Sequence, residues 1–211
     1  MTPSISHQLR QLATAAFTLI TLVAPAHAQL AMGDAMPASD VKMKNVNGKE
    51  LTLASLASTQ GTVVVFTCNA CPWAKMWQSR VAEIGNAAAA AGLGVVAINS
   101  NDPAVNAEDS YVEMKKRAKD LKFGFPYVVD ATSDIARAFG ATRTPEAFVF
   151  DAEGKLVYHG TVDDSPRDAA AVKDAWLKDA VAAVAAGKIV SVTETKAMGC
   201  SIKFRGKATK S

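Results

Sequence analysis

Three cysteines, Cys68, Cys71 and Cys200, are the side chains best suited to do chemistry without a bound group. An odd number leaves at least one thiol outside any simple set of paired disulfides. Cys68 and Cys71 stand two residues apart around Asn69 and Ala70. At that spacing one thiolate can attack a disulfide and its neighbour can then discharge the mixed disulfide. As a purely architectural crosslink the pair is poorly motivated, because so short a loop yields little closure stabilisation.

The elements around the pair decide how acidic it is. Thr62-Val63-Val64-Val65-Phe66-Thr67 is an unbroken β-branched and aromatic run, predicting a strand buried on both faces. Behind it Ala74, Trp77, Val81, Ile84 and Ala88 recur at helical spacing up to Gly92, predicting a helix over residues 71–91. The cysteines therefore fall at a strand-to-helix junction. Unpaired N–H groups there favour a thiolate. Cys68 is expected to be the nucleophile and the more exposed sulfur, with Cys71 as the resolving thiol beneath the helix. Pro72 suits a first helical position, where a missing N–H costs nothing. Asn69 and Ala70 add no charge, so a moderate redox potential is expected.

Further on, residues 93–99 predict a second buried strand, the Tyr111, Met114, Ala118, Leu121 pattern a helix, and Tyr127-Val128-Val129 a short strand. A short helix over Asp134 to Phe139, a hairpin formed by residues 147–150 and 156–158, and a last helix from about Asp168 to Ala186 complete the pattern. Before all of these, Asn47-Gly48 marks a small hairpin in front of the main fold. The order predicts an α/β domain with a mixed central sheet flanked by helices and an N-terminal β-hairpin extension.

The first residues carry Arg10, an apolar run from Leu12 to Ala24, Pro25 and Ala26-His27-Ala28. This is the pattern of a secretory signal cleaved after Ala28, the alternative being an uncleaved anchor. It divides the chain into a signal at 1–28, a domain at 34–190 and a tail at 191–211 that carries Cys200. Export implies an oxidising periplasm and no membrane span after cleavage. A formal net charge of +3, with no basic block before the tail, argues against nucleic acid as a partner. The tail's Lys203, Arg205, Lys207 and Lys210 read as a solvated, mobile end.

Thr144-Pro145 precedes a strand, a place where a cis peptide would expose backbone to an extended substrate segment. Cys200 is open to three readings: a third redox thiol, a crosslink to another chain, or a free thiol on a mobile end. His159 is expected as an exposed strand-end residue rather than a ligand. Trp77 belongs to the buried helix stripe, and Trp73 is placed to flank the sulfurs.

Residues 64–73 (VVFTCNACPW), the Ala97-Ile98-Asn99-Ser100-Asn101 strand end, Thr144-Pro145 and residues 148–155 (FVFDAEGK) resemble the thioredoxin superfamily. More narrowly, with residues 194–203 (ETKAMGCSIK), the chain resembles the redoxin group of alkyl-hydroperoxide-reductase/thiol-specific-antioxidant-like proteins over about residues 34–205. The resemblance implies a thioredoxin-like fold, a redox pair at Cys68 and Cys71, and a cis-proline at Pro145 beside it. Cys-Asn-Ala-Cys departs from the Cys-Gly-Pro-Cys of thioredoxin, and no residue matches thioredoxin's buried proton-relay aspartate.

The expected function is a periplasmic thiol-disulfide oxidoreductase, without bound cofactor, acting on cysteine-containing envelope proteins. Thr144, Pro145 and Trp73 are its expected substrate contacts. A thiol peroxidase is the nearest alternative. The resemblance requires for it a threonine three residues before the attacking cysteine, where Val65 stands before Cys68. A copper- or other metal-delivery module is the second alternative, with Cys68, Cys71, Cys200 and His159 as conceivable ligands.

Overall fold

A computed structural model describes residues 29–206. The proposed signal segment lies outside the described residues. Strand β1 (Met43–Asn45) and β2 (Glu50–Leu51) form the Asn47-Gly48 hairpin, followed by a one-turn helix α1 (Leu53–Leu56). Sequence periodicity is too short to reveal α1. Its signal is the Thr52/Ser55 capping box, in which each side chain accepts the other's backbone N–H, at 3.1 and 3.0 Å.

The centre follows: β3 (Thr62–Phe66), α2 (Pro72–Ala90), β4 (Gly94–Asn99), α3 (Tyr111–Asp120), β5 (Tyr127–Val129), α4 (Asp134–Phe139) and β6 (Arg143–Thr144). Then come β7 (Glu146–Phe150), β8 (Leu156–Gly160), α5 (Trp176–Ala185) and a tail strand β9 (Cys200–Ser201). The final helix is shorter than expected, because Ala169–Ala171 form a separate 3-10 turn.

Seven strands make one mixed sheet in the order β2-β1-β5-β4-β3-β7-β8. β3, β4 and β5 run parallel, while β7 and β8 return antiparallel. The N-terminal hairpin extends this sheet, with β1 pairing to β5 at its edge.

The apolar run of β3 is explained by two cores. Val63 and Val65 face one with Trp77 and Val81 of α2 and Leu177 and Val181 of α5. Val64 and Phe66 face the other with Leu53 of α1, Ile135 and Phe139 of α4 and Ile202 of the tail. Alternate residues enter opposite layers, so every residue from Val63 to Phe66 is apolar.

From Thr195 to Arg205 the tail is not a mobile end, while Lys207 and Lys210 lie outside the described residues. Thr195 N–H donates to the His159 carbonyl (3.0 Å), Ile202 N–H to the Thr142 carbonyl (2.9 Å) and Arg205 N–H to Ser133 Oγ (2.9 Å). Between these anchors β9 pairs with β6, setting Cys200 opposite Thr144 and Ser201 opposite Arg143.

Candidate active site

Buried strand β3 ends at Phe66, and α2 begins at Pro72 with Cys71 in the N-cap position. Pro72 cannot donate a backbone hydrogen bond and so defines where the helix starts. The helix tip is thus at Cys71 rather than Cys68. The predicted contrast in exposure is absent too, since the two residues are only 3% and 4% exposed.

Thr144 sits over both sulfurs. Its hydroxyl lies 3.2 Å from Cys68 Sγ, and its carbonyl accepts from the Cys71 thiol at 3.2 Å. The Thr144-Pro145 peptide is cis, as the resemblance implied. Trp73 is half-buried against the sulfur cluster, and its ring lies 5.9 Å from that of the fully buried Trp77.

Cys200 joins the same cluster. Its thiol and its backbone N–H both face Cys71, and the Trp73 N–H faces its own sulfur. Cys71 is the shared neighbour, with Cys68 on one side and Cys200 on the other. All three cysteines are thiols in this structure.

The electrostatics are asymmetric. Cys71 is lowered from the ordinary 9.0 to about 5, first because the Cys68 thiol donates to it, against the cost of burial, with help from the Cys200 thiol, Ala74 N–H and Cys200 N–H. The Ala74 contribution acts short of a full capping hydrogen bond. One carbonyl, that of Thr144, opposes these donors. Cys68 is pushed far up, first by its hydrogen bond to Cys71, then by burial and by the charge of Asp109. The pair shares one proton between two sulfurs, so each value belongs to both groups. Cys200 is raised by burial and then by Cys71. Within the pair Cys71 has the larger set of donors, from Cys68, Cys200 and Ala74.

Asp109, which the sequence placed with Glu108 in the first turn of the following helix but which lies in a 3-10 turn ahead of it, and Asn69 hold the loop between the cysteines. Asp109, 1% exposed, accepts from Asn69 N–H (2.6 Å), Ala70 N–H (3.2 Å) and Asn101 Nδ2 (2.9 Å). Asn69 donates from Nδ2 to the Glu108 carbonyl (2.8 Å) and accepts from the Tyr127 hydroxyl (3.1 Å). Asp109 follows β4 by ten residues, and only tertiary structure brings it to Cys68. The one sequence signal was its place among the acidic residues ahead of α3.

His159 is not exposed. It is 3% exposed and bonded through Nε2 to Glu146 Oε1 at 2.7 Å, while Glu146 Oε2 accepts from Thr142 and Arg143 N–H at 2.8 and 2.7 Å. The pair braces the segment before Thr144 and leaves His159 outside the sulfur cluster. Among the described residues no group of three His, Cys, Asp or Glu side chains is placed to hold a metal ion. Nor is any described helix long and apolar enough to cross a membrane.

Residues 32–159 match the AhpC/TSA family. The chain belongs to the AhpC/TSA family. This AhpC/TSA redoxin is similar to a hypothetical protein of Sinorhizobium meliloti, at 36% identity over 84% of this chain and 97% of that one, with a TM-score of 0.77. It is equally similar to an uncharacterized conserved protein of Geobacillus kaustophilus, at 36% identity over 84% and 94% with a TM-score of 0.77. A thioredoxin-like protein solved in its oxidised form, at 21% identity over 74% and 97% with a TM-score of 0.57, shares the fold. No curated protein matches the chain. Family membership and fold make this redoxin an oxidoreductase of thioredoxin-like fold.

Proposed function

We propose that this redoxin is an exported, periplasmic thiol-disulfide oxidoreductase that exchanges dithiol for disulfide with cysteine-bearing envelope proteins at Cys68 and Cys71. One observation carries the reading: both sulfurs meet at the tip of α2, where the Cys68 thiol donates to Cys71 and lowers it. Cys71 attacks a substrate disulfide, forming one S–S bond while the other substrate sulfur leaves as thiolate. Cys68 then gives up its proton and attacks Cys71, releasing the second substrate sulfur and leaving the Cys68–Cys71 disulfide. These roles invert the order expected from sequence. The apolar run from Leu12 to Ala24 and the Ala26-His27-Ala28 that follows it support export.

A peroxidase reading finds less support. The hydroxyl it needs three residues ahead is absent for either nucleophile, being Val65 ahead of Cys68 and Cys68 itself ahead of Cys71. Val65 is buried in the core at 4% exposure.

Insulin disulfides test the proposal in a Cys200→Ser background, where only the pair remains. Cys68→Ser is expected to retain the insulin chain as a mixed disulfide on Cys71, and Cys71→Ser to retain none. Retention by Cys71→Ser alone would restore Cys68 as nucleophile. Retention by neither, with hydrogen peroxide consumed instead, would make the protein a peroxidase.

A further inference from the structure

The place where an extended substrate segment would pair is filled by the protein's own tail. β9 runs antiparallel to β6 with Cys200 opposite Thr144, the residue that touches both active sulfurs. The approach is too close for any side chain at position 199: a Cβ on Gly199 would lie 2.2 Å from the Thr144 carbonyl oxygen. The tail is also seated upstream, where a Cβ on Gly160 would lie 2.0 Å from Thr195 Oγ1. Downstream, Ile202 is buried in the core at 5% exposure and Asp102 N–H donates to the Lys203 carbonyl at 2.7 Å. Anchors on both sides present a cysteine at Cys71 in the position of a substrate's cysteine.

We infer that Cys200 is a third exchanging thiol of this site, an internal substrate that accepts the disulfide from Cys68–Cys71 and resolves mixed disulfides held on Cys71. The inference rests on the oxidoreductase reading above. Cys200 loses its proton and attacks Cys71 Sγ of the Cys68–Cys71 disulfide. The Cys71–Cys200 bond forms, the Cys68–Cys71 bond breaks, and Cys68 leaves as a thiolate that takes up a proton. No electrons are gained or lost, so no further reactant is needed. The direction of attack suits the order of the sulfurs, because Cys71 lies between the other two and is the sulfur Cys200 reaches. The same attack on a substrate held by Cys71 releases that substrate and leaves Cys71–Cys200.

Two measurements test it. In the insulin trap, restoring Cys200 to the Cys68→Ser chain should lower the retained mixed disulfide at least about tenfold relative to the Cys68→Ser/Cys200→Ser chain. Equal retention by the two overturns the third thiol while leaving the oxidoreductase reading intact, whereas no retention by the double variant overturns both the third thiol and Cys71 as nucleophile, and the oxidoreductase reading falls only if Cys71→Ser/Cys200→Ser retains none either. Oxidised glutathione supplies the second measurement, on wild-type protein whose folding is not in question. Trypsin leaves Cys68 and Cys71 on the peptide 50–75 and Cys200 on the peptide 197–203. Oxidation should crosslink these peptides through Cys71, with Cys68 alkylated by iodoacetamide on the crosslinked species. A crosslink through Cys68, or only the internal Cys68–Cys71 disulfide, overturns the inference.

Discussion

Replacing Cys68 with alanine removes the largest contributor to the acidity of Cys71, the thiol hydrogen bond, and leaves the Cys200 and Ala74 donors in place. Cys71 lies at about 5 against an ordinary 9.0. Losing the dominant donor should therefore raise its titration midpoint by roughly 2 pH units or more. An exchange rate at one pH would conceal the change. At pH 7 a thiol at about 5 is almost wholly ionised, while one near 9 is ionised to about 1%. The more basic thiolate, however, is intrinsically more nucleophilic, with a Brønsted slope of about 0.4–0.5, and recovers most of that loss. The informative assay is thiolate ultraviolet absorbance followed from pH 3 to 10, in wild-type and Cys68→Ala protein under reductant. Wild type should show a first transition near 5, and Cys68→Ala none below about 7. A midpoint that stays near 5 in the variant would assign the depression to the remaining Cys200 and Ala74 donors and refute the shared proton.

Reduced and oxidised protein should differ in how stability follows pH. The folded Cys71 has released a proton that the unfolded thiol keeps between about 5 and 9.0, so reduced stability rises with pH across that window and is lost as pH falls through it. Above 9.0 Cys68, which holds its proton when the unfolded thiol has let go, acts in the opposite direction. Urea midpoints from pH 4 to 9 should show the rise in reduced protein only, and equal slopes in the two forms would contradict it. Asp109→Ala strands the Asn69, Ala70 and Asn101 donors and should destabilise by about 3 kcal/mol in urea unfolding. A loss under about 1 kcal/mol would show that water replaces the carboxylate. Gly199→Ala forces the tail away from Thr144 at a cost of about 1–3 kcal/mol, enough to speed iodoacetamide labelling of Cys71 roughly tenfold. Unchanged labelling would mean that the tail does not cover the pair.

Local periodicity made the scaffold legible. β3 and β4 read as buried strands because their apolar residues alternate between two cores, and α2 because its apolar stripe repeats at helical spacing. The cis peptide at Pro145 was implied by resemblance and is present. Local periodicity did not show α1, whose single turn is specified by a cap rather than a stripe. It also misjudged His159, since an alternating strand pattern does not show which residue will meet a buried carboxylate.

Sequence alone determined that two thiols would stand where a buried strand gives way to a helix, because spacing and local pattern are properties of neighbouring residues. Which sulfur carries the charge was a tertiary decision. It depends on the Pro72 helix start, on Thr144 from beyond α4, and on donors from a tail far along the chain. The place of Cys200 was decided in the same way: the sequence left it open to three readings, whereas strand pairing and a close backbone approach bring it to the reactive pair. Pairing across so many intervening residues leaves no periodic trace in the chain, because it is set by the surfaces that the folded core presents.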